Sequence, residues 1–570
     1  MKIILCLLFI FMGCTQKNDG KKNILNYALT SNVPTLDPAS SYDTVSAKIV
    51  YQIYESLFEY NYLIRPYQLK PLLAKEMPKI GDDGLTYTIK IKQNIQYHET
   101  PIFGGKKRFV KSVDFINQIK RLAFKPTKSS GWWLFDGKIK GLNKFRKEAK
   151  SDLSNFFSYN VSGLQAPDEH TLVIKLNQPY PQLVYALAMA FATPIPRELI
   201  EHYKNDLTQF GIGTGPFYLV EWNKNSSLLL KKNPNYHENV YPAKGDRYAY
   251  ENKLLKDAGK KIPFLDEIHF KIMKEAQTRW LNFLSKKIDF VVLTKDHFPV
   301  ALNDSGSLNE EFLKQNIKLQ ISPTLTYWWL AFNMTDKILG SNLGVRKAIG
   351  HAINIDEYIE NFTNNIALKA NSIYPPGVPG YSPASQLPYK YDLKLAKKYL
   401  KEAGYPNGKG LPEFSYDVRG SSTVSRQMGE YIQKELNKIG VRVKVNINSF
   451  PGFLNKARTG RLEIWQGGWA MDYPDPENVI QLLITKNKPP GPNSTYYSNK
   501  EVDKLYNELF HAQSASDVQK ITKRVDEIVS KELPWIMQYY SRNYVLHHGR
   551  LKNFRQSDLI NNNFKYLKVD

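Results

Sequence analysis

Three side chains in the last third of this 570-residue chain have the types and the placement to hold a small charged molecule: Arg419, Trp469 and Asp472. A guanidinium is a planar fork that takes a carboxylate through two parallel hydrogen bonds. A carboxylate offers the opposite charge, and an indole offers an apolar plate that keeps water away from both. Each residue also has a plainer role open to it. Arg419 could be a surface arginine at a strand end, Trp469 a core tryptophan, and Asp472 a turn carboxylate ahead of Pro474.

The elements around them decide why these positions matter. Residues 414–418 (FSYDV) read as a strand, and residues 424–439 as a helix with Met428, Ile432, Leu436 and Ile439 on its inner face. Gly440 is a stop signal, residues 441–447 (VRVKVNI) a second strand, 453–459 a short helix, and 462–465 a third strand running into Gly467 and Gly468. A β-α-β-α-β order predicts a parallel sheet with right-handed crossovers. Such sheets bind ligands beyond the carboxyl ends of their strands. Arg419 follows the first strand, and Trp469 and Asp472 follow the third. Elsewhere, alternation predicts strands at 85–92 and 171–176, and 3.6-residue spacing predicts helices at 46–60 and 113–124. Strands at 270–273 and 288–293 flank a helix at 276–285, and residues 23–38 start strand-like and end in a Pro-bounded loop. Residues 241–263, rich in Lys, Asp and Gly, read as a surface insertion. The pairs Trp132–Trp133 and Trp328–Trp329 read as core packing or hinge contacts rather than binding platforms.

Bulk properties narrow the classes. The chain is too long for one compact core, so two or three domains are expected. Its 42% hydrophobic and 13% aromatic content argues for ordered globular structure. The formal charge of +24 comes mostly from dispersed lysines such as Lys106–Lys107 and Lys231–Lys232, with no recognition motif beside them. The expectation is a solvated surface with some attraction to anionic headgroups, and no nucleic-acid partner. The two cysteines are Cys6 and Cys14. They fall in an amino-terminal segment with Lys2, an apolar run over residues 3–12, then Gly13 and Cys14. That run is too short to span a bilayer and fits a secretory signal, which leaves the body without a thiol nucleophile or a cysteine metal site. GIGTG (211–215) is followed at once by Pro216 and a strand-like stretch, which is wrong for a dinucleotide loop. His547 and His548 are adjacent and cannot share a face. No G-x-S-x-G or P-loop stands out, so the expectation is no enzyme, no metal and no cofactor.

Two resemblances sharpen the reading. Gly13–Cys14 resembles the lipobox of bacterial lipoproteins, which implies cleavage before Cys14 and lipidation of its thiol, with residues 14–22 as a tether. GGWAMDYPDPENVIQLL (467–483) resembles extracellular solute-binding protein family 5, the oligopeptide and dipeptide binders of ABC transporters. Residues 33–60, 213–236 (GTGPFYLVEWNKNSSLLLKKNPNY), 330–354 and 374–381 (YPPGVPGY) resemble further stretches of that family. The resemblance implies a two-lobed, clam-shaped α/β binding protein, type II-like, with an extra subdomain on its first lobe. The boundaries expected are a signal at 1–13, lobe I at 23–60, 183–320 and 500–570, the extra subdomain at 61–182, and lobe II at 321–499.

In peptide-binding relatives the aspartate of the W-x-x-D motif holds the ligand's α-ammonium, and here it is Asp472. Arg419 is implied to pair with a ligand carboxylate, Trp469 to wall the pocket, and Ala470 and Met471 to offer backbone groups to the peptide chain. Ser41 and Tyr42 are implied as contacts from the first lobe. The implied function is a monomeric, lipid-anchored protein of the periplasm or cell envelope that captures peptides and delivers them to an ABC-type permease. A non-peptide ligand (a nickel complex, haem or oligosaccharide) and a secreted hydrolase remain as alternatives.

Overall fold

The computed structural model describes residues 22–570 except 150, 151, 304, 421, 490 and 513. The expected signal and Cys14 lie outside the described residues.

Two bodies are built on separate sheets. The first contains a four-stranded sheet in the order Ile24–Leu29, Glu267–Ile272, Ser227–Lys232, Phe217–Asn223, with its first pair parallel and the others antiparallel. A second four-stranded sheet, Lys79–Ile80, Thr86–Lys90, Thr171–Lys175, Leu164–Asp168, is antiparallel throughout. It carries the strands expected at 85–92 and 171–176. Alternation turns Tyr87, Ile89, Leu172 and Ile174 inward, and they join one apolar cluster with Leu25, Ile49, Phe217 and Leu230. The expected extra subdomain therefore shares a core with the first body.

The larger sheet spans the molecule. Two long antiparallel strands, Ile317–Phe332 and Trp535–His548, form its spine. At one end Phe290–Val292 adds to the second strand, next to Trp280, Phe283 and Leu546. At the other end Ile464–Ala470 pairs with the first strand from Thr326 to Phe332. Between these ends the pairing shifts register from Pro323–Arg542 to Tyr327–Tyr540. An interruption of this kind bends and twists a ribbon locally, and here it falls where the ribbon leaves one body for the other.

Beyond Ile464–Ala470 come Phe414–Val418 and Val443–Ile447, all three parallel with Phe414–Val418 in the middle. The helix Thr423–Asn437 crosses between the latter two and buries Ile432 and Leu436. The two faces of this sheet feed separate cores. Tyr327, Trp329, Trp465 and Met537 lie in one, and Leu330, Tyr416, Val418 and Ile464 in the other.

Three expectations change. The helix predicted over 46–60 is Thr44–Ile53, started by Asp43 accepting from Val45 and Ser46 N–H groups. Phe58–Tyr60 leaves it to pair with Leu69–Pro71. Residues 241–263 are more than a surface insertion. Tyr241, Ala249, Leu254 and Ile262 are buried with Tyr62, Leu63 and Tyr566, and Arg555 pairs with both oxygens of Asp246 at 3.0 and 2.6 Å. Residues 500–570, expected together in lobe I, divide in their packing. The helices Lys500–Leu509 and Ala515–Glu532 bury Val502, Leu509, Val525 and Val529 with Trp329 and Met471, whereas Val545, Leu551 and Phe564 belong to the first core.

The loop ahead of Thr44–Ile53 is fixed from beneath. Arg121, fully buried in the helix Ser112–Ala123, donates to Asp37 Oδ2 at 2.6 Å and Oδ1 at 3.0 Å. Asp37 Oδ1 also accepts from Ala39 N–H, and its carbonyl from the N–H groups of Ser40 and Ser41. Removing one member of a buried pair strands the other charge, at about 3–5 kcal/mol. Asp37→Ala should lower the unfolding free energy by that order, measured as a fall in urea midpoint, and should loosen the Ser41–Tyr42 turn.

Candidate functional site

The third strand of the parallel set runs to Ala470, further than the predicted 462–465, because Gly467 and Gly468 stay in the ladder opposite Trp329 and Trp328. These glycines serve close approach. A Cβ on Gly467 would sit 2.2 Å from Trp329 Nε1, and one on Gly468 would sit 2.5 Å from Arg419 Nη1. An indole and a guanidinium can lie flat on this strand only where it carries no side chain.

After Ala470 the chain turns. Met471 N–H donates to Leu325 O at 3.1 Å, and Asp472 N–H to Asn478 Oδ1 at 3.2 Å. Asp472 Oδ1 accepts from the Tyr42 hydroxyl at 2.6 Å, and Oδ2 from Asn478 Nδ2 at 3.4 Å. Neither partner is charged, and Glu477 nearby is of like sign. Burial is the largest influence on Asp472 and holds its carboxyl above the usual aspartate range, against the two hydrogen bonds that lower it. Tyr42 is 51% exposed and rests on Phe191 and Trp133, at ring separations of 5.6 and 6.4 Å. Burial, then the charge of Asp472, raises its hydroxyl pKa.

This bond crosses between the bodies, and it has company. Gln182 Nε2 donates to Asp475 Oδ1 at 3.2 Å, and Tyr185 stacks on Tyr473 at 5.5 Å with planes 4° apart. Leu183 and Ala186, beside Gln182, are in the first core, while Met471 and Val479 are in the second. Glu477 accepts from the hydroxyls of Tyr473 and Tyr506 at 2.7 and 2.6 Å.

Arg419 sits just beyond Phe414–Val418. It donates to Gly468 O at 2.6 Å, and its guanidinium lies 5.3 Å from the Trp328 ring and 5.6 Å from that of Phe453. Burial lowers its pKa. Arg419 and Trp469 line one cavity of about 340 Å³, together with Trp329, Trp465, Trp535 and Phe453. Asp472 is outside that lining, but the two places are joined: Asn478 Oδ1 accepts from Trp469 Nε1 at 2.9 Å as well as from Asp472 N–H. A larger depression of about 810 Å³, bordered by Lys500, Lys504, Glu508 and His511, holds none of the residues singled out by sequence.

The structure thus brings Tyr42 to Asp472, and Arg419 to Trp469. Ala470 is exposed and paired with Thr326. Of the backbone groups expected from Met471, the N–H donates to Leu325 O, and the side chain is core. Ser41 is 7% exposed and its hydroxyl has no hydrogen-bond partner within the protein. Asn478, Asp475, Gln182 and Tyr185 escaped the sequence reading. Asn478 and Asp475 lie inside the quoted 467–483 stretch, within and just ahead of the helix Glu477–Ile480, and no local pattern sets them apart there. Trp133 is half-buried and backs Tyr42. Trp329 is core, and Trp328 donates to Ser541 Oγ at 3.0 Å. Among the described residues no group of three or more His, Cys, Asp or Glu side chains is placed to hold a metal ion, and no helix is long and apolar enough to cross a membrane.

Two α/β bodies joined by a bent ribbon, with polar and aromatic groups meeting across the junction, define a two-lobed binding protein of the periplasmic type. The chain belongs to the bacterial extracellular solute-binding proteins, family 5, whose model matches residues 68–490. It is 25% identical over 537 residues to the glutathione-binding protein GsiB of Escherichia coli K12, covering 92% of this chain and 91% of that one. Among solved structures it is similar to the ABC transporter-associated periplasmic binding protein DppA of Helicobacter pylori in complex with peptide STSA, at 25% identity, TM-score 0.71 and coverage of 96% and 98%. HbpA2 of Haemophilus parasuis has the same fold, with TM-score 0.76 at 23% identity over 96% and 100% of the two chains.

Asp475 gives the junction a pH signature. Burial lifts its carboxyl from 3.8 to about 6. The unfolded chain therefore releases this proton first, so stability falls as pH rises from about 4 to about 6 and stays lowered above that. Asp475→Asn removes the buried charge and puts an amide donor beside Gln182 Oε1, which has no partner within the protein. Its melting temperature should exceed wild type at pH 7 and converge with it at about pH 3, below the unfolded carboxyl's own pKa, by calorimetry of the empty protein.

Proposed function

We propose that the protein captures peptides between its lobes, anchors their α-ammonium on Asp472, and delivers them to an ABC-type permease while held at a membrane by lipid on Cys14. The observation that carries the reading is the state of Asp472: a half-buried carboxylate at the lobe junction whose hydrogen-bond partners there, Tyr42 and Asn478, are both neutral. A buried charge calls for an opposite one. An ammonium entering where the Tyr42 hydroxyl sits replaces a hydrogen bond from a neutral donor by one in which both partners are charged. The cost of burial, which the empty site already carries, is then offset on ligand capture, and closure of the lobes is coupled to the charge that arrives. Arg419, Trp469, Ala470, Ser41 and Tyr42 complete the contact set, and Met471 supports it from the core.

The relatives support this ligand class. The Helicobacter protein was solved with a peptide, and the Escherichia protein is named for glutathione, itself a tripeptide. Membrane tethering rests on the Gly13–Cys14 pattern.

Asp472→Asn should weaken binding of a free-amine tripeptide by roughly 100- to 1,000-fold, the loss expected when one partner of a buried pair is removed. The melting temperature of the empty variant should equal or exceed wild type, because the ionised carboxylate costs stability there. N-acetylated peptides should bind wild type as poorly as the free amine binds the variant. Wild-type affinity in Asp472→Asn, by titration calorimetry, overturns the anchor. Since Asp472 titrates above the usual range, affinity should begin to fall at a higher pH than an ordinary aspartate would set. Separately, Cys14→Ala should release the protein from the membrane fraction and abolish labelling by radioactive palmitate.

A further inference from the structure

An arriving ammonium displaces only one of the contacts that cross between the lobes. On the second body these contacts are gathered in residues 472–477, and on the first they come from Tyr42 and from the segment that holds Gln182 and Tyr185. The Tyr42 hydroxyl gives way on Asp472. The bond from Gln182 Nε2 to Asp475 Oδ1, at 3.2 Å, and the Tyr185–Tyr473 stack, at 5.5 Å, are made between protein groups alone. Both sides are held from behind. Gln182 is 2% exposed and stands at the start of the helix Leu183–Ala186, whose Leu183 and Ala186 belong to the first core. Tyr473 is equally buried, at 2%, and its hydroxyl donates to Glu477 Oε2 at 2.7 Å. Asp475 Oδ1 also accepts from Glu477 N–H at 2.9 Å. Beside them the Lys138 ammonium lies 3.6 Å from the Tyr180 ring centre. Burial lowers its pKa to about 8, and the charge of Glu477, from the second body, acts against that. The bent ribbon between the bodies permits closure, whereas these contacts hold it.

We propose that Gln182 and Tyr185 are positioning residues for peptide binding: with Asp475 and Tyr473 they form a latch that keeps the lobes closed without touching the ligand. The inference rests on the peptide-binding reading and deepens it, by separating the groups that select a ligand from those that retain it. An amide donor on a carboxylate is a charge-assisted bond, and two rings with planes 4° apart add an offset stack. The closing equilibrium enters the apparent affinity as a factor common to every ligand. Ligand enters the open form, in which the latch is broken, and leaves only after the latch has parted. The latch therefore acts on the dissociation rate. With Tyr42 on Asp472, the same contacts close part of the empty population.

The test pairs stopped-flow kinetics of Ala-Ala-Ala and Ala-Phe-Ala binding with small-angle X-ray scattering of the empty protein. Tyr185→Ala and Gln182→Ala should each raise the dissociation rate about three- to tenfold, by the same factor for both peptides, with association unchanged or faster. Tyr185→Phe keeps the stack and should behave as wild type. Empty wild type should scatter as a more compact particle than empty Tyr185→Ala. A loss that falls on association, or that differs severalfold between the two peptides, overturns the latch, because it marks the substituted residue as a ligand contact. Unchanged dissociation with unchanged scattering also overturns it, and leaves the ammonium anchor standing where N-acetylation still abolishes binding. If neither peptide binds wild type, the peptide reading falls and scattering alone decides the latch. Gln182→Ala removes only the polar half, so it carries the test if Tyr185→Ala fails to fold.

Discussion

Everything at the lobe junction is organised around one half-buried carboxylate whose hydrogen-bond partners are neutral. Asp472 has lost part of its water, faces the like charge of Glu477, and is compensated by a phenol and an amide. Hydrogen bonds of this kind recover part of the desolvation cost and leave the rest in place. That residue of cost makes the site selective before any shape complementarity is considered. A neutral ligand gains little over the Tyr42 hydroxyl already present, whereas a cation gains the Coulomb energy of a low-dielectric pair. On the proposed reading the Tyr42 contact also couples the lobes to the ligand, because the group that an ammonium would displace from Asp472 belongs to the opposite body.

Holding such a carboxylate still requires a rigid platform. The parallel strands provide it: Arg419 follows Phe414–Val418 directly, and Ile464–Ala470 runs on beyond that level before the turn that carries Asp472. Gly467 and Gly468 permit the flat approach of Trp329 and Arg419, and Asn478 ties Trp469 and Asp472 to a single carbonyl. From the other side, the Arg121–Asp37 pair fixes the turn that presents Tyr42. The two halves of the site are thus stiff separately, and their relative position is left to the ribbon that shifts register between Pro323 and Tyr327. An interruption of pairing between bodies that keep their own cores has the geometry of a hinge.

Much of this was legible from residue order. The strand and helix succession across 414–470 follows from alternation, helical spacing and Gly440, and local rules suffice there because the strands are sequential neighbours. The ammonium-anchor candidate was marked by its place after a strand tip. Three things were hidden, each for a non-local reason. The long strands Ile317–Phe332 and Trp535–His548 are about two hundred residues apart, and nothing local says that they pair or that each serves both bodies. Residues 241–263 look like a solvated insertion because their few apolar residues are widely spaced, and only Tyr62 and Tyr566 complete their core. Asn478 and Asp475 read as loop residues because polarity in a Pro-rich segment resembles solvent exposure, whereas the partners that bury them come from elsewhere in the fold.

Taken by itself, the formal charge of +24 opposes an ammonium-bearing ligand. Range resolves the conflict. At physiological ionic strength charges on the surface are screened over about 8 Å, whereas buried groups are screened far less. The dispersed lysines thus act on surfaces that come close to them, including anionic headgroups, and contribute little inside the junction. There the sign is set by Asp472, Asp475 and Glu477, three carboxylates within six residues on a basic protein. Across Trp469 the sign reverses at Arg419. Under the proposed anchoring, a field that changes sign over one side chain weighs the arrangement of charge on a ligand above its net charge, and so ranks a zwitterion above a simple cation of the same size.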